Sequence, residues 1–305
     1  MLIVVASVPL FFRVEVPNSP DQPAIDLFVT LNTIPAERPV LVESDWTLSS
    51  RGESMGQMEA LLRIMMRRNV KFVLYSGADP QAPQVARNVI RRINAERKRA
   101  GQPEYKKWVD WVDAGYYPDL AGLANAMATD IRRAFAGRQD TNERGSMQDI
   151  FRSPVLQNVK SISDVALLVN VHASGTIDIL NERLYRRVPL ASMCTGVMGP
   201  QSMPYYASGQ LVGISVGLKG VYDLEQMMEY GVVGKSIRER PHPKTIVSSN
   251  HDEIVIQPFT GQKNYDRAAR YYFSLHFAMT LMIVAIIAGN IGMILTRKPK
   301  RKGGQ

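Results

Sequence analysis

Three features of this sequence predict an α/β chain: a Rossmann-like, mostly parallel sheet with helices on both faces, followed by a C-terminal transmembrane helix. Strand-like runs and helical periods alternate over residues 40–193. The runs are apolar at successive positions, the mark of strands buried on both faces. Residues 273–296 form a stretch of 24 positions without Asp, Glu, Lys or Arg. As a helix that stretch rises about 36 Å, enough to cross a hydrocarbon core of about 30 Å.

Residues 1–12 are apolar and uncharged, but a helix of that length covers only about 18 Å. They are expected to be the remainder of a first transmembrane helix or signal anchor. Residues 13–35 carry Pro17, Pro20, Pro23 and Pro35, and read as an extended connector holding one short strand or edge element. The Rossmann-like domain is placed at 36–235. It opens with an apolar strand over 40–44 that ends in Asp45. Ser50 and Glu53 have capping-box spacing, and Met55, Met58, Leu61, Leu62, Met65 and Met66 recur at helical spacing behind them. KFVLYS at 71–76 is a second strand, and 83–100 a helix closed by Gly101. A third strand is expected over 108–112, and then a helix begun by Pro118 and Asp119 that presents Leu120, Leu123, Met127, Ile131 and Phe135.

Residues 138–160 are polar and weakly periodic, the composition of a surface excursion or lid. Strands follow at 165–171 and 188–193, with a short helix over 176–184 between them. In GQLVGISVG the glycines 209, 213 and 217 stand four apart, so a helix there would carry a glycine stripe. A membrane-proximal segment at 236–270 leads to the transmembrane helix at 271–296 and a basic tail at 297–305. Tyr271, Tyr272 and Phe273 fit an interfacial aromatic belt.

The formal charge is +9, but five of the cations, Arg297, Lys298, Lys300, Arg301 and Lys302, lie in the tail. The remaining +4 on some 300 residues gives no basic stripe, so no nucleic-acid partner is expected. The tail instead suits membrane lipid and the positive-inside bias, which places it in the cytoplasm and the domain outside. Within the span Ala285, Ala288, Gly289 and Gly292 form overlapping small-xxx-small pairs, a surface for a partner transmembrane helix, either self or another subunit. With one cysteine and four histidines no cysteine-based zinc site is expected, and without G-x-G-x-x-G or a P-loop no cofactor is expected.

Ligands of open parallel sheets bind at the carboxyl ends of the strands. That rule nominates a rim of Asp45, Asp79, Asp113, His172 and Thr195; the same residue types also cap helices and set turns. Cys194 in S-M-C-T-G has the small-x-nucleophile-x-Gly pattern of a nucleophile elbow. His251-Asp252-Glu253 then resembles the His and Glu of class I glutamine amidotransferases, which implies a Cys194, His251, Glu253 catalytic set, although Ser192 stands where that elbow prefers glycine. LVESDWT and FVLYSG resemble the first two motifs of haloacid-dehalogenase-type phosphatases, but Thr47 replaces the second aspartate.

The order SDWTLSSRGE, SGADPQAPQVA and GQLVG before a C-terminal span resembles a group of membrane-anchored bacterial α/β proteins to which no activity attaches. It implies an α/β domain with a hydrophobic segment at each end, and no catalytic residue. The expected function is a membrane-tethered, non-catalytic domain serving as a binding or assembly subunit of a cell-envelope complex. The alternative is a membrane-anchored hydrolase or amidotransferase-like enzyme using Cys194.

Overall fold

The computed structural model describes residues 19–235, 244–261, 263–264 and 267–296, with Val4, Ser7, Val8 and Phe11 as isolated positions. The expected N-terminal anchor at 1–12 and the basic tail at 297–305 thus lie largely or wholly outside the described residues. The chain divides into two units, one of them Asn18–Ala268.

Six strands build that unit: β1 (Val40–Asp45), β2 (Phe72–Ser76), β3 (Trp111–Tyr116), β6 (Leu167–His172), β7 (Leu190–Cys194) and β8 (Gly213–Val216). They pair in the order β3-β2-β1-β6-β7-β8, every neighbour parallel. The chain starts at β1 and winds outward to β3, then returns to the other side of β1 with β6. Strand order therefore reverses between β1 and β6, and the crossovers diverge there.

Helices α1 (Gln22–Thr33), α2 (Arg51–Arg67), α3 (Ala82–Arg99) and α8 (Gly217–Tyr230) contact one another and form one layer. On the other face α4 (Leu120–Thr129) packs on α6 (Thr176–Leu184), joined by apolar residues such as Ile150, Leu156 and Ile162 from the irregular segment before β6. A four-residue helix, α5 (Ile131–Ala134), follows α4, and α7 (Gly199–Ala207) leads into β8. Leu41, Val73, Leu168, Leu190 and Ile214 belong to the core on the α4–α6 side, which fixes the face of every alternate residue in their strands.

Four expectations need correction. The proline-rich connector contains α1, a twelve-residue helix, because Pro23 sits in its first turn, where a missing N–H costs nothing. Leu27, Phe28 and Leu31 of α1 are fully buried. The third strand begins three residues late, so Asp113 is inside it and not at its end. The helix begun at Asp119 stops at Thr129, where Asp130 caps α5. The glycine-rich segment is not a helix, since Gly213 opens strand β8. A Cβ on Gly213 would lie 2.4 Å from the Leu27 backbone, so the glycine lets α1 lie directly on the edge of the sheet.

The excursion over 138–160 holds a two-stranded hairpin, β4 (Gln139–Thr141) and β5 (Met147–Asp149). A small sheet, β10-β9-β11, joins β9 (Val232–Gly234) to β10 (Ile246–Ser248) and β11 (Val255–Ile256). The last helix, α9 (Arg267–Thr296), contains a stretch, Arg270–Thr296, long and apolar enough to cross a membrane. Along it Ile287, Ile291, Met293 and Leu295 are exposed.

Replacing Gly213 tests the close approach of α1. Gly213→Ala is expected to lower unfolding stability by about 2 kcal/mol, as overpacking of a filled core does, read as a lower urea midpoint at unchanged slope.

Candidate functional site

The carboxyl ends of the three central strands carry a polar ladder inside an otherwise apolar core. Glu43 and Asp45 are two apart in β1, as are Asn170 and His172 in β6 and Ser192 and Cys194 in β7, so all six share the α4–α6 face. Register aligns them: Glu43 opposite Asn170, Asn170 opposite Ser192, Asp45 opposite His172, His172 opposite Cys194. Glu43, Asn170, His172, Ser192 and Cys194 are wholly inaccessible to solvent, and Asp45 nearly so.

Buried polar groups must find partners, and most of these do. One Glu43 oxygen is held by the Asn170 amide, and Asn170 also bonds Thr176 Oγ1 at 3.2 Å. The other accepts the Gly77 N–H at 3.0 Å. Asp45 Oδ1 takes three donors from the turn after β2: Ser76 Oγ at 2.9 Å, the Gly77 N–H at 3.1 Å and the Ala78 N–H at 2.8 Å. Gly77 has no room for a side chain, because a Cβ there would lie 2.5 Å from Leu120 Cδ1. Since one N–H serves Glu43 Oε1 and Asp45 Oδ1, those two oxygens lie side by side. Burial, then the negative charge of Asp45, pushes the Glu43 carboxyl well above the usual range. The same burial and the same two carboxyls raise the Tyr75 phenol.

His172 Nδ1 lies 2.5 Å from the Ser174 carbonyl and Nε2 2.9 Å from Ser192 Oγ. A carbonyl only accepts, so Nδ1 carries the proton and Nε2 accepts the Ser192 hydroxyl. Burial pulls the imidazole down to about 4.

Above the ladder, at the reversal point, lies a cleft of about 360 Å³ lined by nine residues, among them Asp45, Trp46, Thr47, Ser50, Asp79 and Ser174. Its lining contains two aspartates and no Lys, Arg or His. Three buried polar atoms of the lining have no hydrogen-bond partner among the described residues: Asp45 Oδ2, Trp46 Nε1 and Ser174 Oγ. Asp79 also sets the turn into α3, accepting the Gln81 N–H at 2.7 Å.

Of the rim, the structure brings Asp45, Asp79 and His172 together. Thr195 adjoins them through its N–H, 3.2 Å from the His172 carbonyl. Asp113 does not belong: it pairs with Arg87 and lines a separate cleft with Arg138 and Asp140. The expected capping box is absent, since Ser50 makes no cap bond and Glu53 instead accepts the Gly196 N–H at 2.6 Å. Gln57, one helical turn on, donates to the carbonyls of Cys194, Ser215 and Gly217, fastening α2 to the ends of β7 and β8.

The elbow reading of Cys194 gains no support from its surroundings. Its thiol is fully buried as the last residue of β7, beside the hydroxyls of Ser192 and Ser202, and burial pushes it up to about 11. A nucleophilic thiolate needs the opposite shift. His251 bonds Asp26 of α1 at 2.9 Å, and Glu253 is an exposed residue of positive φ, so neither forms a set with Cys194. Sequence reasoning passed over Glu43, Asn170 and Ser192. The available signal was the repeated polar-x-polar ending, E-S-D, N-V-H and S-M-C, of three apolar strands.

Among the described residues no group of three or more His, Cys, Asp or Glu is placed to hold a metal ion. No model of a known family, no curated protein and no solved structure matches the chain.

The His172 ring predicts an acid-sensitive fold. Its folded value near 4 lies below the ordinary 6.5, so the unfolded chain takes up a proton first as pH falls. The contribution is complete above about pH 6.5 and declines by about 3 kcal/mol toward pH 4. Glu43, shifted upward, acts in the opposite sense, its contribution waning as pH rises above its ordinary 4.5. Denaturant titrations of wild type and His172→Asn across this range isolate the imidazole: the difference between the two proteins is expected to shrink as pH falls.

Proposed function

We propose that this chain is a membrane-tethered, non-catalytic binding domain whose ligand site is the cleft between β1 and β6. The observation that carries this reading is Asp45: one oxygen is consumed by the turn after β2, and the other is buried at the cleft without a partner. A buried carboxylate oxygen costs free energy until a donor reaches it. The ligand chemistry that supplies a donor is an amine or a hydroxyl, and a cleft with two aspartates and no base disfavours phosphate. That separates the site from nucleotide-binding Rossmann clefts, in agreement with the absence of a glycine fingerprint.

The membrane part of the reading rests on Arg270–Thr296. Five basic residues follow it, against Lys263, Arg267 and Arg270 at its start, which favours a cytoplasmic tail and a domain on the far side, in the cell envelope. Ala285, Ala288, Gly289 and Gly292 offer the surface through which a partner helix would join the assembly. The hydrolase alternative has weaker support, because Cys194 is buried and its thiol shifted away from the reactive form.

The test uses the full chain in mild detergent, screened by thermal shift against polyamines, amino acids and sugars. Asp45→Asn keeps an acceptor for the turn and removes the free carboxylate oxygen. A ligand of the cleft is expected to lose about tenfold or more in affinity on that change, as when a charge-assisted hydrogen bond is lost. Equal binding by both proteins would remove Asp45 from the site.

A further inference from the structure

A second concavity, of about 550 Å³, lies in the α2–α3 layer, between the end of α2, the end of α3 and the segment that leads to α9. Met66 and Ile93 give it an apolar wall. Its charged lining is four cations, Arg63, Arg97, Arg99 and Lys263, against the single carboxylate of Glu96. Arg63 is buried and spends its charge on Glu96, 2.6 Å away. That pair fixes the floor, and the rim carries Arg97, whose Nε donates to the Pro103 carbonyl at 2.9 Å, with Arg99 and Lys263.

Basic residues in the last turn of α3 complement the helix dipole, and this alone explains part of the cluster. It does not explain Lys263, which reaches the same groove from a remote part of the sequence, nor the tie that holds its segment there. Gln102 donates to the Gly261 carbonyl at 2.6 Å, fastening the chain just ahead of α9 to the end of α3. Lys263 precedes Arg270, the start of the apolar stretch, by seven residues. Even fully extended, seven residues reach about 25 Å. If α9 enters a bilayer, covalent connection alone keeps the groove near its surface. An apolar wall beside an arginine pair fits an amphiphile with an anionic head, since guanidinium groups bind phosphate oxygens bidentately.

We propose that this groove binds the headgroup phosphate of an anionic phospholipid of the bilayer that α9 enters, through Arg97, Arg99 and Lys263. The proposal rests on the membrane reading of α9 and is independent of the Asp45 cleft. Its role would be to seat the domain on the membrane surface.

The experiment places the full chain in nanodiscs of phosphatidylcholine alone, or with about one third phosphatidylglycerol, and follows amide hydrogen exchange over residues 93–102. Exchange is expected to slow about fivefold or more in the anionic discs. Arg99→Glu, an exposed change that leaves the fold intact, should abolish the slowing, and Arg97→Gln should reduce it. Equal exchange in the two discs would overturn the proposal. So would the same slowing produced by inorganic phosphate in phosphatidylcholine discs, which would make the groove a general anion site. Failure of the chain to enter discs at all would instead overturn the membrane reading on which the proposal stands.

Discussion

Asp45 holds the sheet and its cleft together. Its Oδ1 gathers three donors from the turn between β2 and α3, so the end of β1 and the beginning of the next crossover are fixed to one atom. The turn can approach because residue 77 is glycine, with the Leu120 side chain where a Cβ would be. This grip sits beside the place where strand order reverses, and it determines which oxygen of Asp45 is left for anything else.

The neighbouring carboxyl is what makes that oxygen consequential. Two charged carboxylates cannot share one buried N–H cheaply, and the asymmetry is resolved by environment. Glu43 is enclosed by Gly77, Asn170 and Tyr75, and burial, then the charge of Asp45, raises its carboxyl. In the ladder Asn170 bonds Glu43 and Thr176, and His172 bonds Ser174 and Ser192, which leaves Asp45 Oδ2, at the cleft, as its unmet carboxylate oxygen. A partly satisfied network costs stability where it is incomplete, and natural folds keep such sites where a ligand completes them.

Much of the sheet was legible in the sequence because two-sided burial leaves apolar runs with no alternation, as in VLV at 40–42, FVLY at 72–75 and LLV at 167–169. The third strand was displaced because the apolar run before it, ending at Val112, is only its start, and the irregularity between Leu74 and Tyr75 of its neighbour leaves no local trace. Helix α1 was hidden by prolines that lie around it and in its first turn, outside its interior. Glycines 209, 213 and 217 suggested a helical stripe, whereas Gly213 serves a strand that a helix backbone must touch, a requirement set by residues nearly two hundred positions away. Within the site, Asp45 and His172 were readable as polar residues ending apolar strands. Glu43, Asn170 and Ser192 acquire their meaning only from the register of three strands remote in sequence. Cys194 showed the opposite failure: its flanking residues imitate an elbow, but its thiol, at the end of β7, is enclosed in the core.

The division of roles between the two carboxyls is the central claim, and infrared spectroscopy reads it directly. With glutamate carboxyl carbons isotopically labelled, the full chain in detergent at pH 7 should show one protonated carboxyl band that disappears in Glu43→Gln and persists in Asp45→Asn. Absence of that band in the wild-type protein would mean that Glu43 is ionised, and the upward shift assigned to its burial beside Asp45 would fail.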